Sequence, residues 1–366
     1  MSLYITKIVY WVASIIRLLT PVSKHVTPID NLIVEAGING WKTIFLNEVY
    51  QSALESKIFK NVFRLCTTEN SLNFRFTYKN LQKLECGFYF FDPRTLQGPL
   101  LKKIFHTIKL IVIFKRLNIT AISVLTDPSL RLNRLISIAL TTNSGILVTF
   151  MDISNLNQYF YKCKVISPML PPISRLTRLE IENLNVKPRN LLLEDRLTIG
   201  IKGDLYSSRL KSISELKNGI MKRKLNFEVR VTPKDNNLSS ELYWKELLNF
   251  DIVFTTTKQG IDELNTQGNL PYKADFTNVN QIVFRVTEAL VSNRVLICEN
   301  APGLNHFFDT SSDLIVYEEI DDLLDKLEFY DLNREALLSL RNAGNARILK
   351  YLDLDLFWGT IKSALT

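Results

Sequence analysis

The chain has 366 residues, of which 46% are hydrophobic and 22% charged, so it is long enough for two domains and has a globular rather than a disordered composition. Its net charge of +8 is uneven, because residues 1–186 carry +11 and residues 187–366 carry −3. The basic half predicts an anionic partner, namely nucleic acid, a phospholipid surface or a phosphorylated substrate; the alternative is a solvated lysine-rich surface. Four dispersed cysteines without a CxxC pair indicate a reducing compartment, and three isolated histidines make a zinc site unlikely.

Residues 1–25 form a predicted amphipathic segment ahead of the first domain. Lys7 and Arg17 enclose only nine uncharged residues, too few for the roughly 20 that span a bilayer. No small-residue cleavage site follows, which disfavours a signal peptide. Tyr4, Trp11 and many aliphatic residues beside basic ones predict a helix that lies in a membrane interface. The alternative is a helix packed on the folded body.

The first predicted domain covers residues 26–186, where strand-like and helix-like runs alternate. Such alternation is typical of βαβ units and a parallel sheet. Ligands of open α/β sheets bind beyond the carboxyl ends of the strands. Glu35, Asp92 and Asp127 end predicted strands, so they are candidate catalytic bases. Strands are expected at 31–37, 85–95, 119–129 and 145–152, and helices at 46–57, 99–118 and 129–143.

The second predicted domain covers residues 187–366 and follows a proline-rich connection at residues 165–196. Alternation resumes after that connection, so the fold class is α/β, with two Rossmann-like domains facing a cleft. Strands are expected at 197–203, 226–233, 251–257, 294–299 and 313–318, and helices at 207–224, 239–250, 281–292, 319–330 and 333–365.

Two loops of the second domain have the composition of anion-binding loops. In "GIKGDLYSSR", Gly203 permits close backbone approach, and Arg209 and Lys211 lie near the first turn of a helix, where the helix dipole disfavours cations. A bound anion would offset that cost; the alternative is an ordinary strand–helix turn. In "ENAPGLNHFF", Gly303 and Asn305 follow a strand and suit contacts with a diphosphate or a sugar.

The predicted helix 281–292 is apolar nearly all round and carries one polar line. Gln281, Arg285, Glu288 and Ser292 fall on that line at 100° per residue. A polar line on a buried helix faces a partner, a cleft or a ligand. The Glu288 carboxylate can accept two ribose hydroxyls, and Arg285 can hold Glu288 or meet a phosphate. The alternative is a salt bridge on a wet face.

These segments resemble group 1 glycosyltransferases with the GT-B fold, and most closely the bacterial spore-maturation-type branch. The donor-side motifs are "QIVFRVTEALVSNRVLICENAPGLNHFF", "GDLYSSR" and "LRNAGNARIL". "EAGINGWKTIFLNEVYQSA", "FDPRT", "LTDPSLRLNR" and "SPMLPPIS" are similar to the acceptor-side domain. The resemblance implies a hexosyltransferase-type enzyme that moves a sugar from a nucleotide-sugar to a glycan or lipid-linked acceptor in surface polysaccharide synthesis.

The resemblance also assigns roles within the donor site. Glu288 matches the glutamate that binds donor ribose, and Arg209 matches a basic residue that meets the diphosphate. Many retaining members carry another glutamate ahead of the matching one, with seven residues between the two, and a contact with the donor sugar is expected there. Here Asn280 and Gln281 occupy that region. This departure leaves a catalytically degenerate relative, which binds nucleotide-sugar or glycan without turnover, as the alternative function.

Other partners and cofactors are less well supported by the sequence. Aromatic residues do not interleave with the basic runs, so nucleic-acid binding is disfavoured. No GxGxxG follows a strand, which disfavours a nicotinamide cofactor. The acidic pairs at 318–319 and 321–322 favour a helix N-terminus, and no metal or cofactor is expected. The predicted location is cytoplasmic, with the basic half on an anionic membrane inner face.

Overall fold

The structure is a computed structural model, in which we describe residues 2–22, 29–35, 41–65, 74–96, 98–126, 131–184, 186–203, 205, 207–233, 239–256 and 282–365. The candidate residues Asp127, Asn280 and Gln281 lie outside these ranges. The chain forms two compact units. Each unit holds one parallel sheet, so the predicted pair of α/β domains is confirmed.

The first unit is built on a six-stranded sheet in the order β2-β1-β3-β4-β5-β6. Strands β3 to β5 are almost continuously buried, as is typical of a parallel sheet with both faces covered. The strands are β1 (Ile29–Glu35), β2 (Asn61–Leu65), β3 (Cys86–Phe91), β4 (Thr120–Leu125), β5 (Ile146–Thr149) and β6 (Lys164–Ile166). The helices in this region are α1 (Ser2–Leu19), α2 (Trp41–Ser56), α3 (Phe74–Lys83), α4 (Leu100–Leu117) and α5 (Arg131–Thr141).

The second unit is built on a five-stranded sheet in the order β11-β10-β9-β7-β8. Its strands are β7 (Leu197–Gly203), β8 (Phe227–Pro233), β9 (Ile252–Thr255), β10 (Val295–Glu299) and β11 (Ile315–Tyr317). One face of this sheet packs apolar side chains against α7 and α10. The helices are α6 (Arg175–Asn183), α7 (Ser207–Arg223), α8 (Ser240–Leu248), α9 (Phe284–Val291), α10 (Ile320–Leu332) and α11 (Arg334–Asp353).

The division between the units lies after Met169, ahead of the expected boundary after residue 186. The chain from Phe357 onward also belongs to the first unit. There α12 (Leu356–Leu365) buries Trp358, whose indole Nε1 donates to Ser52 Oγ at 3.0 Å. The final helix therefore completes the core of the first unit rather than that of the second.

Two local predictions differ from the structure. The expected connection at 165–196 contains α6, because Ser174 caps its first turn by accepting from the Thr177 N–H. The helix expected from residue 281 begins only at Phe284, because Val283 is extended (φ −86°, ψ 156°).

Helix α1 packs against α4 and α5, and its inner face combines apolar side chains such as Ala13 with polar groups. Tyr10 Oη donates to the Tyr159 carbonyl at 2.8 Å, and Arg17 Nη2 donates to the Leu140 carbonyl at 2.6 Å. In the part of the chain that we describe, no helix is both long and apolar enough to cross a membrane.

Candidate functional site

The carboxyl edge of the second sheet brings two arginines to the end of β7. Gly203, the last residue of β7, has φ +128°, a conformation that favours glycine. A Cβ at this position would lie 3.5 Å from Arg209 Nη1 and 3.9 Å from Arg285 Nη2. Arg209 comes from α7 and Arg285 from α9, so two guanidinium groups from different helices converge on one backbone turn. Paired guanidinium groups of this kind suit a phosphate-bearing ligand.

Arg285 is held in place by three neighbours. Its Nη1 lies 2.9 Å from Glu288 Oε2 and donates to Tyr243 Oη at 2.5 Å. Its Nη2 donates to the Lys202 carbonyl at 3.2 Å, next to Gly203. Burial lowers the pKa of Arg285, but the charge of Glu288 and the Tyr243 phenol raise it more, so that the net direction is upward. The guanidinium therefore stays charged at this edge of the sheet.

Glu288 is only 2% exposed and both of its carboxylate oxygens are engaged. Oε2 pairs with Arg285, and Oε1 accepts from Tyr243 Oη at 2.5 Å. The structure thus contains the Arg285–Glu288 ion pair that the sequence allows, but the pair is buried and not on a wet face. Each carboxylate oxygen has a second lone pair, so the ribose role of Glu288 stays a prediction.

Tyr243, on α8, links this pair to a second one. Lys202 Nζ lies 5.0 Å from its ring centroid, and Lys202 itself pairs with Glu246. Burial raises the pKa of the Tyr243 phenol well above its usual value; Arg285 opposes this effect and Glu288 adds to it. Tyr243 is therefore neutral and can donate to Glu288 while it accepts from Arg285.

Arg209 is anchored to the end of β9. Its Nε donates to Thr256 Oγ1 at 3.1 Å, which leaves the outer end of the guanidinium directed to Gly203. The buried Tyr317 at the end of β11 lies within electrostatic range of Arg209. Burial raises the pKa of Tyr317 well above its usual value, Glu299 adds to it and Arg209 lowers it. The positive charge of Arg209 therefore acts on groups at the ends of β9 and β11.

Gly303 and Asn305 lie at the same edge of the sheet, after β10. Gly303 has φ +90° and precedes the short 3-10 helix Leu304–His306. Gly303 is buried and Asn305 is exposed. The structure therefore brings together four of the predicted binding residues, Gly203, Arg209, Arg285 and Glu288. Gly303 and Asn305 lie at the same carboxyl edge of the second sheet without a described contact to those four.

The two candidate bases that the structure describes in the first unit, Asp92 and Glu35, both have hydrogen-bond partners within the protein. Asp92 is buried, and Arg94 holds both of its oxygens: Nε lies 3.0 Å from Oδ1 and Nη2 lies 2.6 Å from Oδ2. Asp92 also caps the 3-10 helix Pro93–Thr95. Glu35 is buried at the end of β1 and accepts from the Tyr89 hydroxyl. A catalytic role for Asp92 stays a prediction, against a visible structural role.

Three further residues belong to this cluster although no sequence pattern singled them out: Lys202, Tyr243 and Thr256. A lysine that interrupts the apolar strand β7 could have indicated the first. Tyr243 had no local signal, because its partners stand more than 40 residues away in the sequence. Among the described residues, no group of three or more His, Cys, Asp or Glu side chains could hold a metal ion.

Comparisons with known proteins give a family match within the second unit and structural matches to the fold of the whole chain. Residues 235–356 match a family described as glycosyl transferase-like. No curated protein sequence matches the chain significantly.

Solved structures match almost the whole chain at low identity. A sucrose-phosphate synthase from Thermosynechococcus elongatus (tll1590) is 9% identical, with TM-score 0.58 over 92% of this chain and 98% of that one. A glycosyltransferase from Rickettsia africae ESF-5 is 11% identical, with TM-score 0.53 over 92% and 98%. Anabaena Alr3699/HepE in complex with UDP and glucose is 10% identical, with TM-score 0.52 over 92% and 99%. The chain therefore has the GT-B fold, and the segment that carries the Arg285–Glu288 pair matches a glycosyl transferase-like family.

Proposed function

We propose that the protein is a glycosyltransferase whose second unit binds a nucleotide-sugar donor. The observation that carries this proposal is the convergence of Arg209 and Arg285 on Gly203. A diphosphate at that turn could accept hydrogen bonds from both guanidinium groups, which match phosphate oxygens in geometry and charge. The glycosyl transferase-like match over residues 235–356 supports the same reading.

In the proposed reaction a hexose moves to a glycan or lipid-linked acceptor of surface polysaccharide synthesis. The bond between sugar C1 and the diphosphate oxygen breaks, and C1 bonds to an acceptor oxygen. The nucleoside diphosphate leaves with the electron pair, and the acceptor hydroxyl proton passes to a base. Arg209 and Arg285 stabilise the negative charge that develops on the leaving group, and Glu288 holds the ribose. Because the Anabaena neighbour binds UDP and glucose, UDP-sugars are the first donors to test.

We infer that donor binding requires no divalent metal. The two guanidinium groups supply the positive charge that a metal ion would bring to the diphosphate. EDTA should leave donor affinity unchanged, and loss of binding in EDTA with recovery in Mn²⁺ would refute this inference.

We also infer that α1 lies on an anionic membrane surface at the cytoplasmic face. The outward side of α1 carries large apolar side chains, with Trp11 65% and Leu18 83% exposed. Lys7 is exposed beside this stripe. An apolar outer face with basic neighbours on a +11 half of the chain suits an interface of anionic lipid.

Turnover of a labelled donor tests the enzyme against its alternative. A UDP-sugar labelled in the sugar should release label to water or to an added lipid-linked acceptor if the protein is active. Saturable donor binding without release of label would instead favour the degenerate relative.

A further inference from the structure

A cluster of arginines lies at the amino edge of the second sheet, opposite the edge that carries Gly203. Asp251 and Arg294 immediately precede β9 and β10, and Arg189 lies before β7. Arg334 and Arg341 are seven residues apart on α11, so they share one face of that helix. We call Arg189, Arg294, Arg334 and Arg341, with Asp251, the amino-edge cluster.

Carboxylates pair with only part of the amino-edge cluster. Arg189 Nη1 lies 3.0 Å from Asp251 Oδ2, and Arg334 Nη2 lies 2.5 Å from Asp331 Oδ1. Arg294 Nη2 donates instead to the Leu248 carbonyl at 2.7 Å. In the described chain, Arg294 has no carboxylate within ion-pair distance.

Arg341 also has no carboxylate partner among the described residues. Its Nη1 donates to the Arg189 carbonyl at 3.0 Å, and no carboxylate of the described residues reaches it. Three buried nitrogen atoms of the cluster, Arg294 Nε, Arg334 Nη1 and Arg341 Nε, have no hydrogen-bond partner within the described chain. Buried N–H groups are seldom left unpaired, so a ligand or ordered water is expected there.

The charges of the cluster act on one another through a low-dielectric region. The pKa of Arg294 is lowered to about 10, first by burial and then by the charge of Arg341, while Asp251 opposes both effects. Burial lowers the pKa of Arg334 and of Arg341 as well. Arg334 is also the first residue of α11, where the helix dipole disfavours a cation. An anion beside these groups would lower the free energy of all three.

We propose that the amino-edge cluster binds a phosphate group, at a site separate from the donor site. Guanidinium forks match phosphate oxygens in pairs. The site is reachable, because the Arg189 side chain is 40% exposed and Arg341 is only half-buried. The phosphate can be inorganic, carried by a small ester or part of a lipid headgroup, since the recognising chemistry is the same.

The test uses the full-length chain and four forms: wild type, Arg341→Gln, Arg347→Gln and Arg209→Gln. Arg347 is the matched control, because it lies on the same helix, is 48% exposed and pairs with Asp313 outside the cluster. Melting temperature is followed during titration with sodium phosphate and with sodium chloride at equal ionic strength. Phosphate should raise the melting temperature of wild type, Arg347→Gln and Arg209→Gln saturably, and Arg341→Gln should bind phosphate about tenfold or more weakly.

Parallel titrations distinguish the sources of the phosphate group. Glycerol 3-phosphate tests a small ester, and sedimentation with phosphatidylglycerol vesicles tests a headgroup; dependence on Arg341 in any arm supports the proposal and identifies its source. If Arg341→Gln does not fold, Arg341→Lys, which keeps the charge and loses the fork, is read in the same way. An unchanged shift in the Arg341 variant, loss of the shift in Arg209→Gln, or no response beyond chloride in every arm would overturn it.

Discussion

The single carboxylate of Glu288 serves both the stability of the second unit and, in the proposed complex, donor binding. It neutralises Arg285 inside the second unit, and in the proposed complex it also accepts the ribose hydroxyls. The two contacts can coexist because each oxygen accepts only one protein hydrogen bond. A substitution at this residue should therefore affect both stability and donor affinity.

Glu288→Gln should weaken donor binding about tenfold to a hundredfold, because hydrogen bonds to a charged group contribute about 1.5–3 kcal/mol. It should also lower the melting temperature, since removal of one partner from a buried ion pair costs about 3–5 kcal/mol. Tyr243→Phe is the matched control: it removes the hydrogen bonds of the Tyr243 hydroxyl to Glu288 and Arg285 but keeps the Glu288 carboxylate, so it should lower stability and weaken donor binding less than Glu288→Gln does. Calorimetry with a UDP-sugar and thermal melting without donor measure both effects. Unaltered donor affinity in Glu288→Gln would show that Glu288 does not bind the ribose.

Arg209 and Lys211 allow a comparison within one turn of α7. Arg209 reaches Gly203 and Thr256, whereas the Lys211 side chain is 77% exposed and lies 3.8 Å from Glu215. Arg209→Gln should weaken binding of a nucleoside diphosphate about tenfold to a hundredfold through a lost charge-assisted contact. Lys211→Gln should change affinity little, because an exposed pair of this kind contributes about 0–1 kcal/mol. Equal losses in the two variants, measured by calorimetry, would indicate general electrostatic attraction instead of a defined diphosphate contact.

Among the elements, α1 is unusual because it exposes large apolar side chains while its buried side includes polar groups. Its buried positions are spaced three or four residues apart and include two that donate hydrogen bonds to backbone carbonyls, Tyr10 and Arg17. Its exposed positions carry the large apolar side chains. The sequence predicts an amphipathic helix here, and the structure shows which of its faces is outward.

Trp11→Ser should reduce binding to anionic liposomes about tenfold, since burying a large apolar side chain contributes about 1.5–3 kcal/mol. The melting temperature of the Trp11→Ser variant should equal that of the wild type because Trp11 is exposed. Tyr10→Phe, one position away on the inner face, should lower stability by about 1 kcal/mol and leave liposome binding intact. Co-sedimentation with phosphatidylglycerol vesicles measures both variants. Wild-type recovery of Trp11→Ser, or equal recovery of wild type on neutral and anionic vesicles, would contradict the membrane assignment.

Two helical glycines have opposite surroundings. A Cβ on Gly344 of α11 would lie 2.2 Å from the Asp313 carbonyl oxygen, whereas a Cβ on Gly359 of α12 would meet nothing within 4 Å. Gly344→Ala should destabilise by about 1–3 kcal/mol through overpacking. Gly359→Ala should stabilise by about 0.5–1 kcal/mol through helix propensity. Urea unfolding gives both values, and a stable Gly344→Ala would show that α11 does not need its close approach to Asp313.

The periodicity of the chain predicts elements better than contacts. Apolar runs such as β4 and β10 are recognisable because strands of a covered parallel sheet are buried on both faces. Helix α6 is hidden by the prolines before it, and its start depends on one cap, Ser174. The polar line of α9 identifies Arg285 and Glu288, but Tyr243 joins them across 45 residues, and no local pattern encodes that contact.

At the scale of the whole molecule, the two units differ in charge, and each is built on its own sheet. The basic first unit carries the outward apolar stripe of α1, and the second unit carries the convergent arginines of the candidate site. GT-B neighbours that are about 10% identical align over 92% of the chain. The architecture therefore persists while most side chains change, and function has to be argued from the side chains at the site.

The central claim is that a nucleotide-sugar binds beside Arg209, Arg285 and Glu288. Its most direct test is calorimetry of the full-length protein with UDP-, GDP-, dTDP- and ADP-sugars, repeated with Arg209→Gln. We expect saturable binding of at least one of these donors, most readily a UDP-sugar, with about tenfold or greater weakening in the variant. Failure of all four donors to bind, or binding of equal strength in Arg209→Gln, would contradict it.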